Sequence, residues 1–238
     1  PPAGYRLSSD CDVKSAMASL LADGGAACET RGYAEMEEWL APLVGGNGVR
    51  ISVTTSSVSP GSNHLVYHPE QLVLGVGCAR GYSADDAENF VLQKLADASI
   101  AKESICAIAS VDLKSDEPAL ARLAEVIRCP VRVFSPAELE EETYRLTEPS
   151  QIVFDAIGCH GVAEPAALRL AGPEATLILP KQKADNITVA IVDAGVVITK
   201  LTGRKPGCVS LVGIGPGSQD WRTPEASRLI AQAGVLIG

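Results

Sequence analysis

"LVLGVGCARGYSADDAENFVLQKLADASIAKESICAIASV", residues 72–111, decides the fold. An apolar run ends in a glycine-rich turn, a helical stretch follows, and a second apolar run closes the unit. Ser83 stands where a helix N-cap is needed, and Asp85 and Asp86 fall in the first turn, where carboxylates oppose the positive end of the helix dipole. Two strands joined through a helix are parallel neighbours, because the crossover returns the chain to the end from which it started.

The same rhythm continues. "DEPALARLAEVI" (116–127) is a helix with proline near its start, "PVRVF" (130–134) a strand, and "SPAELEEE" (135–142) a helix opened by Ser135 and Pro136. "ATLILP" (175–180) and "NITVAIVD" (186–193) add two strands around "KQKAD", as a hairpin or a mixed sheet edge. The expected fold is α/β, a largely parallel or mixed sheet flanked by helices. Before it, residues 12–22 carry Val13, Met17, Leu20 and Leu21 on one helical stripe. "YAEMEEWLAPLV" (33–44) repeats the pattern with Tyr33, Met36, Leu40 and Leu43, and "VRISVTTSSV" (49–58) is β-rich. Residues 1–63 are expected to form a small incomplete α/β region and 64–200 the main domain, with "LTGRKPG" (201–207) as a polar linker. At 208 the rhythm restarts: "CVSLVGIGPG" is strand and turn, "TPEASRLIAQAG" a capped helix, and "VLIG" the start of a strand. With no initial methionine and a final apolar run, the sequence is expected to be a piece of a longer polypeptide, and 208–238 a truncated βαβ start.

The formal charge of −9, from 20 basic and 29 acidic side chains, argues against broad binding to nucleic acid or an anionic membrane, while a local basic cleft stays allowed. No apolar stretch approaches the roughly 20 residues that cross a bilayer. Seven widely spaced cysteines, without a C-x-x-C, and three scattered histidines suggest neither a disulfide framework nor a metal site. Reduced thiols in the cytoplasm fit best.

"GVGCARG" has glycines at 75, 77 and 81, and "GIGPG" has Gly213, Gly215 and Gly217 about Pro216. Both follow strands, where open α/β sheets bind ligands, but neither matches the dinucleotide spacing G-x-G-x-x-G. Each reads equally as a structural turn or a ligand-facing one. Cys78 is either pocket wall or a nucleophile; as a nucleophile it needs a base, for which His160 is the candidate. "ASVDLKSDEP" (109–118) crowds Asp112, Lys114, Asp116 and Glu117 at a strand end, as a solvated loop or as an anion contact with a general acid or base. Glu164 opens a helix before Pro165, and Lys181, Lys183 and Asn186 occupy the expected hairpin loop. Arg80, Lys114, Lys181 and Lys183 could share one pocket for a carboxylate-rich molecule. "ELEEETY" (138–144) reads as a solvated acidic helix face.

Five blocks, "LVLGVGCARGYSADDAENF", "IASVDLKSDEPAL", "PVRVFSPAEL", "GCHGVAEPAALRLAG" and "LILPKQKADNITVAI", resemble in order the C-terminal domain of the cobalamin-biosynthesis protein CbiG and its aerobic relative CobE. Residues 1–63 resemble the central region of that family more loosely. "GCVSLVGIGPGSQDWRTPEASRLIAQAGVLIG" resembles the opening of precorrin methyltransferases, and the order of parts resembles a fusion to precorrin-3B C-17-methyltransferase. The resemblance implies a precorrin or cobalt-precorrin ligand and, for a complete methyltransferase, S-adenosylmethionine bound in part by Gly213, Gly215, Pro216 and Gly217. This stretch by itself is expected to hold no cofactor and not to methylate. It further implies ring-A δ-lactone opening with loss of acetaldehyde, with Gly75, Gly77, Cys78, Arg80, Gly81, Lys181 and Asn186 around the substrate. On chemical grounds, apart from the resemblance, Glu117 or Glu164 could activate water and Lys114 could stabilise the oxyanion. A tetrapyrrole-binding module serving the fused methyltransferase in cis, and a structural appendage, are the alternatives. Homodimerisation is left open, and no nucleic acid, membrane or metal is expected.

Overall fold

The computed structural model describes residues 2–30, 38–207, 210–214, 221–233 and 235–237, in two compact units, 1–206 and 207–238. In the first unit the elements are β1 (Tyr5–Leu7), α1 (Val13–Asp23), β2 (Ala27–Thr30), β3 (Arg50–Val53), β4 (His64–Pro69), β5 (Leu72–Cys78), α2 (Ala84–Asp97) and β6 (Ile105–Val111). They continue as α3 (Pro118–Ile127), β7 (Val131–Phe134), α4 (Pro136–Glu140), α5 (Gln151–Ile157), α6 (Ala163–Ala171), β8 (Thr176–Ala184) and β9 (Ile187–Asp193).

Two sheets result. The first has the order β1-β4-β3-β2, with β4 parallel to β3 and antiparallel to β1. The strand opening at His64 thus belongs to the amino-terminal sheet, and the chain changes sheets at Glu70–Gln71. Its core gathers Leu40, Ile51, Val53 and Leu65 under Trp39, which meets Tyr5 and Tyr67 edge-on at 5.5 and 4.9 Å. Leu40 and Leu43 lie in a short 3-10 helix, Glu38–Leu43, with Pro42 inside it; Tyr33 and Met36 fall outside the described residues.

The second sheet has the order β7-β6-β5-β9-β8. β5, β6 and β7 are parallel, whereas β9 and β8 are antiparallel additions, so the sheet is mixed. Side chains alternate across a strand. Leu72, Leu74 and Val76 therefore pack on one face with Val91 and Leu95 of α2 and Leu120 and Leu123 of α3, while Val73 faces α6 with Ala107, Ala109, Ala166 and Ala167. Gly75 and Gly77 share that second face. A Cβ at Gly75 would stand 1.8 Å from the carbonyl oxygen of Ala163, and one at Gly77 would stand 3.1 Å from the Cβ of Val162. These two glycines are bare so that α6 can lie on the strand backbone.

Capping follows the sequence. Ser83 accepts the Asp86 N–H, and Ser135 and Glu138 form a reciprocal capping box. Arg6 of β1 joins the sheets: its guanidinium donates to the carbonyls of Glu103 (2.8 Å), Ile127 (2.7 Å) and Ile105 and pairs with Glu70 at 3.1 Å.

Four features depart from the sequence reading. β8 runs through Lys181 and Lys183, which therefore lie in a strand, with register shifts around Pro180–Lys181. α5 had no counterpart in the sequence reading. Residues 201–207 do not hang free, because Arg204 and Val133 exchange backbone hydrogen bonds of 2.8 and 2.9 Å along the open edge of β7. In the second unit α7 (Pro224–Gln232) is capped by Thr223, whose hydroxyl accepts the Ala226 N–H at 3.1 Å. Residues 210–214 and 235–237 contain no strand, contrary to expectation, and Gly215, Pro216 and Gly217 lie outside the described residues.

Candidate functional site

β5, β6 and β7 deliver their carboxyl ends to one edge, and the turn between β8 and β9 reaches the same edge beside Cys78. Loops there are free to carry chemistry because the strands beneath are rigid. The turn after β5 and the loop after β6 converge on Glu117. Its side chain is 1% exposed, it occupies the N-cap position of α3 without capping it, and its Oε2 accepts the Gly81 N–H at 2.9 Å. Gly81 is left-handed, with φ +71°, which turns its N–H toward this carboxylate. Oε1 pairs with Lys114 Nζ at 3.5 Å and with Arg80 Nη1 at 3.6 Å. Arg80 also donates twice to Asp116, both at 3.1 Å, and once to the Leu113 carbonyl at 2.7 Å.

Arg80, Gly81, Lys114 and Glu117, named separately from the sequence, thus form one cluster. Its outer half is solvated: Arg80 and Asp116 are 62% and 70% exposed, so their pairing is worth little and Arg80 can exchange Asp116 for a ligand carboxylate. Hydrogen bonds from Arg80 still hold Asp116 below the usual carboxylate range.

Cys78 packs against the core on the α2 and α3 side. Burial pushes its thiol up, the Glu117 carboxylate adds to this and Lys114 opposes it in part, so a thiolate is disfavoured. Its expected base is committed elsewhere. His160 Nδ1 lies 2.8 and 3.0 Å from the two oxygens of Glu140, and its backbone N–H donates to Glu140 at 3.0 Å. Burial opposes ionisation of Glu140, but hydrogen bonds from the His160 backbone and ring hold it below the usual carboxylate range.

Glu164 and Lys181 belong to the α6 face. Glu164 is buried and accepts three hydrogen bonds, from the Thr147 N–H (2.9 Å), the Thr147 hydroxyl (2.6 Å) and the Lys181 N–H (2.8 Å). The bulge at Pro180–Lys181 releases that last donor from the ladder. The Lys181 ammonium turns to Glu148, at 3.2 Å. Lys183 stands opposite Thr188, whose hydroxyl donates to the Gly77 carbonyl at 3.2 Å, on the same face as α6. Arg80 and Lys114 thus share Glu117 as a partner, whereas Lys181 pairs with Glu148 and Lys183 stands opposite Thr188. Asn186 is exposed at the hairpin tip, and its carbonyl accepts the Ala79 N–H at 2.8 Å, holding the tip against the glycine turn.

The acidic tract 138–144 is not a solvated face. Glu138 closes the capping box, Glu140 holds His160, and Glu142 is buried and pairs with Arg145 at 2.9 Å. Arg204 meets Asp112 and Glu138, each at 3.0 Å, locking the loops after β6 and β7 together. Sequence reading missed these partners because all but the closest are distant in the chain; the clue available was the clustering of arginines and glutamates in an acidic protein. Among the described residues no group of three or more His, Cys, Asp or Glu could hold a metal, and no helix is long and apolar enough to cross a membrane.

A mixed sheet whose central strand is bared for one helix, with charged loops gathered at one edge, defines an α/β protein with a cluster of charged side chains at its strand ends. The model of the cobalamin synthesis G C-terminus family matches residues 72–192, and the chain belongs to that family. Protein CobE of Sinorhizobium sp is 42% identical over 120 residues, 50% of this chain and 78% of its own length. Cobalt-precorrin-5A hydrolase of Priestia megaterium is 35% identical over 129 residues, 54% of this chain, and the match spans 34% of the hydrolase. A solved structure of CobE, described as a protein from the cobalamin (vitamin B12) biosynthetic pathway, is 36% identical. That alignment covers 52% of this chain and 91% of the other, with a TM-score of 0.49. The chain accordingly has a role in cobalamin biosynthesis of the CbiG/CobE kind.

Proposed function

We propose that the chain binds a precorrin or cobalt-precorrin at the carboxyl edge of β5 and β6 and opens its ring-A δ-lactone. The observation that carries this reading is the junction at Glu117, which presents Arg80 and Lys114 side by side beside the exposed, unobstructed backbone of Gly81. The ligand's acetate and propionate groups offer carboxylates that two such cations can hold by charge-assisted hydrogen bonds. Lys114 is also the cation suited to a developing oxyanion, and Glu117 and Glu164 are the carboxylates nominated for activating water.

A second reading, a binding module without chemistry, is favoured by the full engagement of both carboxylates in hydrogen bonds and ion pairs. The resemblance of 208–238 to the start of a precorrin methyltransferase supports a companion proposal, that such a domain continues the chain and uses S-adenosylmethionine. Of the residues assigned to that cofactor only Gly213 is described, and a Cβ there would meet nothing within 4 Å, so no cradle is defined and no step is assigned to the cofactor.

The test is to mix the chain with cobalt-precorrin-5A, following its spectrum for binding and acetaldehyde for ring opening. Arg80→Ala and Lys114→Ala should each weaken binding about tenfold, the loss of one charge-assisted contact. Binding without acetaldehyde would leave the binding module, and no spectral change with any precorrin would sink both readings.

A further inference from the structure

Water activation at this edge needs a group with an unshared, oriented proton acceptor. Glu117 spends its oxygens on a backbone N–H and two cations, and Glu164 on two backbone N–H groups and a hydroxyl. His160 does not. A carboxylate can only accept, so the Glu140 oxygens at 2.8 and 3.0 Å place the proton of a neutral imidazole on Nδ1 and leave Nε2 as an acceptor, with no hydrogen-bond partner among the described residues. Phe154 of α5 stacks on the ring at 4.5 Å and 28°, fixing its plane. The side chain remains 24% exposed. The position also suits the ligand. His160 lies two residues before Val162, which rests on Gly77 at the end of β5, and Glu140 ends the helix that follows β7. Phe154, stacked on the ring, is itself 37% exposed, so the imidazole has an apolar neighbour that reaches solvent.

We infer that His160, held by Glu140, is the general base that activates water against the lactone carbonyl. The inference rests on the lactone-opening reading above. Nε2 takes a proton as the water oxygen bonds to the carbonyl carbon. The ring C–O bond then breaks, and the same proton passes to the departing alkoxide, so one water is added and a carboxylic acid and a hydroxyl result. His160 is thus catalytic, and Glu140 is a positioning residue.

The experiment uses the whole chain and cobalt-precorrin-5A, with ring opening followed by mass and binding by absorbance. His160→Asn, which can still donate to Glu140, should reduce kcat by at least about 100-fold while binding and thermal midpoint hold. Added imidazole should restore part of the activity of His160→Ala. Glu140→Gln should lower kcat about tenfold with KM unchanged, and 15N spectra of the wild-type ring should show the proton on Nδ1. A His160→Asn variant as fast as wild type, or a ring protonated on Nε2 alone, overturns the assignment and leaves lactone opening intact. A wild-type chain that binds the ligand and never opens it overturns the lactone-opening reading and the assignment together.

Discussion

The buried carboxylate of Glu117 accepts the Gly81 N–H at 2.9 Å, so one side chain at the start of α3 holds the turn that follows β5. The same carboxylate gathers Lys114 and Arg80. Replacing it with alanine leaves a backbone donor and a largely buried ammonium without their partner. Glu117→Ala should therefore destabilise the fold by about 2 kcal/mol, with faster amide exchange at residues 79–82. Glu117→Gln keeps the acceptor for Gly81 and should lose less. Equal midpoints for the two variants in denaturant titrations would show that the carboxylate charge, not the hydrogen bond to Gly81, is what matters.

Gly75 tests the seating of α6. Its absent Cβ would fall 1.8 Å from a backbone carbonyl that cannot rotate away, since Ala163 begins the helix. Gly75→Ala should cost about 3 kcal/mol, at the upper end for overpacking. Gly81→Ala meets no atom within 4 Å but must adopt φ +71°, and should cost about 1 kcal/mol. Thermal unfolding of the two variants distinguishes a steric clash from backbone strain, and a milder effect at Gly75 than at Gly81 would refute the packing argument.

His68 gives the protein an acid-side sensitivity. It is buried, with Nδ1 donating to the Thr54 carbonyl at 2.7 Å. Burial pushes its pKa below the ordinary 6.5, and the Thr54 hydrogen bond offsets only part of that. Because the folded value lies lower, the unfolded chain binds more protons as the pH falls below about 6.5. Stability should decline there and level off once the pH passes below the folded value. His64 is lowered by burial and by Arg50 and adds the same sign. His68→Gln should flatten the dependence of the denaturant midpoint on pH in that window. An unchanged slope would assign the effect to other groups.

Much of the second sheet was legible because its signals are local. Ser83 and Ser135 cap the helices they precede, and the apolar runs at 72–78, 105–111 and 131–134 are strands for the burial reason that makes them apolar. The hairpin was misjudged at Lys181 because β8 is an edge strand, polar on its open side, and polar residues in such a strand resemble a loop. The acidic tract was misjudged for a related reason: a run of glutamates looks solvated until Arg145, Arg169, Arg204 and His160 are brought to it.

By itself the sequence determined the alternation of strands and helices, the bare glycines of β5 and the identities of the charged loop residues, since periodicity and caps act within a few positions of the chain. The tertiary structure alone decided which of those residues meet. It put Arg80 and Lys114 on Glu117, turned Lys181 toward Glu148, and gave His160 to Glu140 rather than to Cys78. The sides of a sheet are assigned by strand register and by the helices that cover them, and these depend on contacts between segments far apart in sequence.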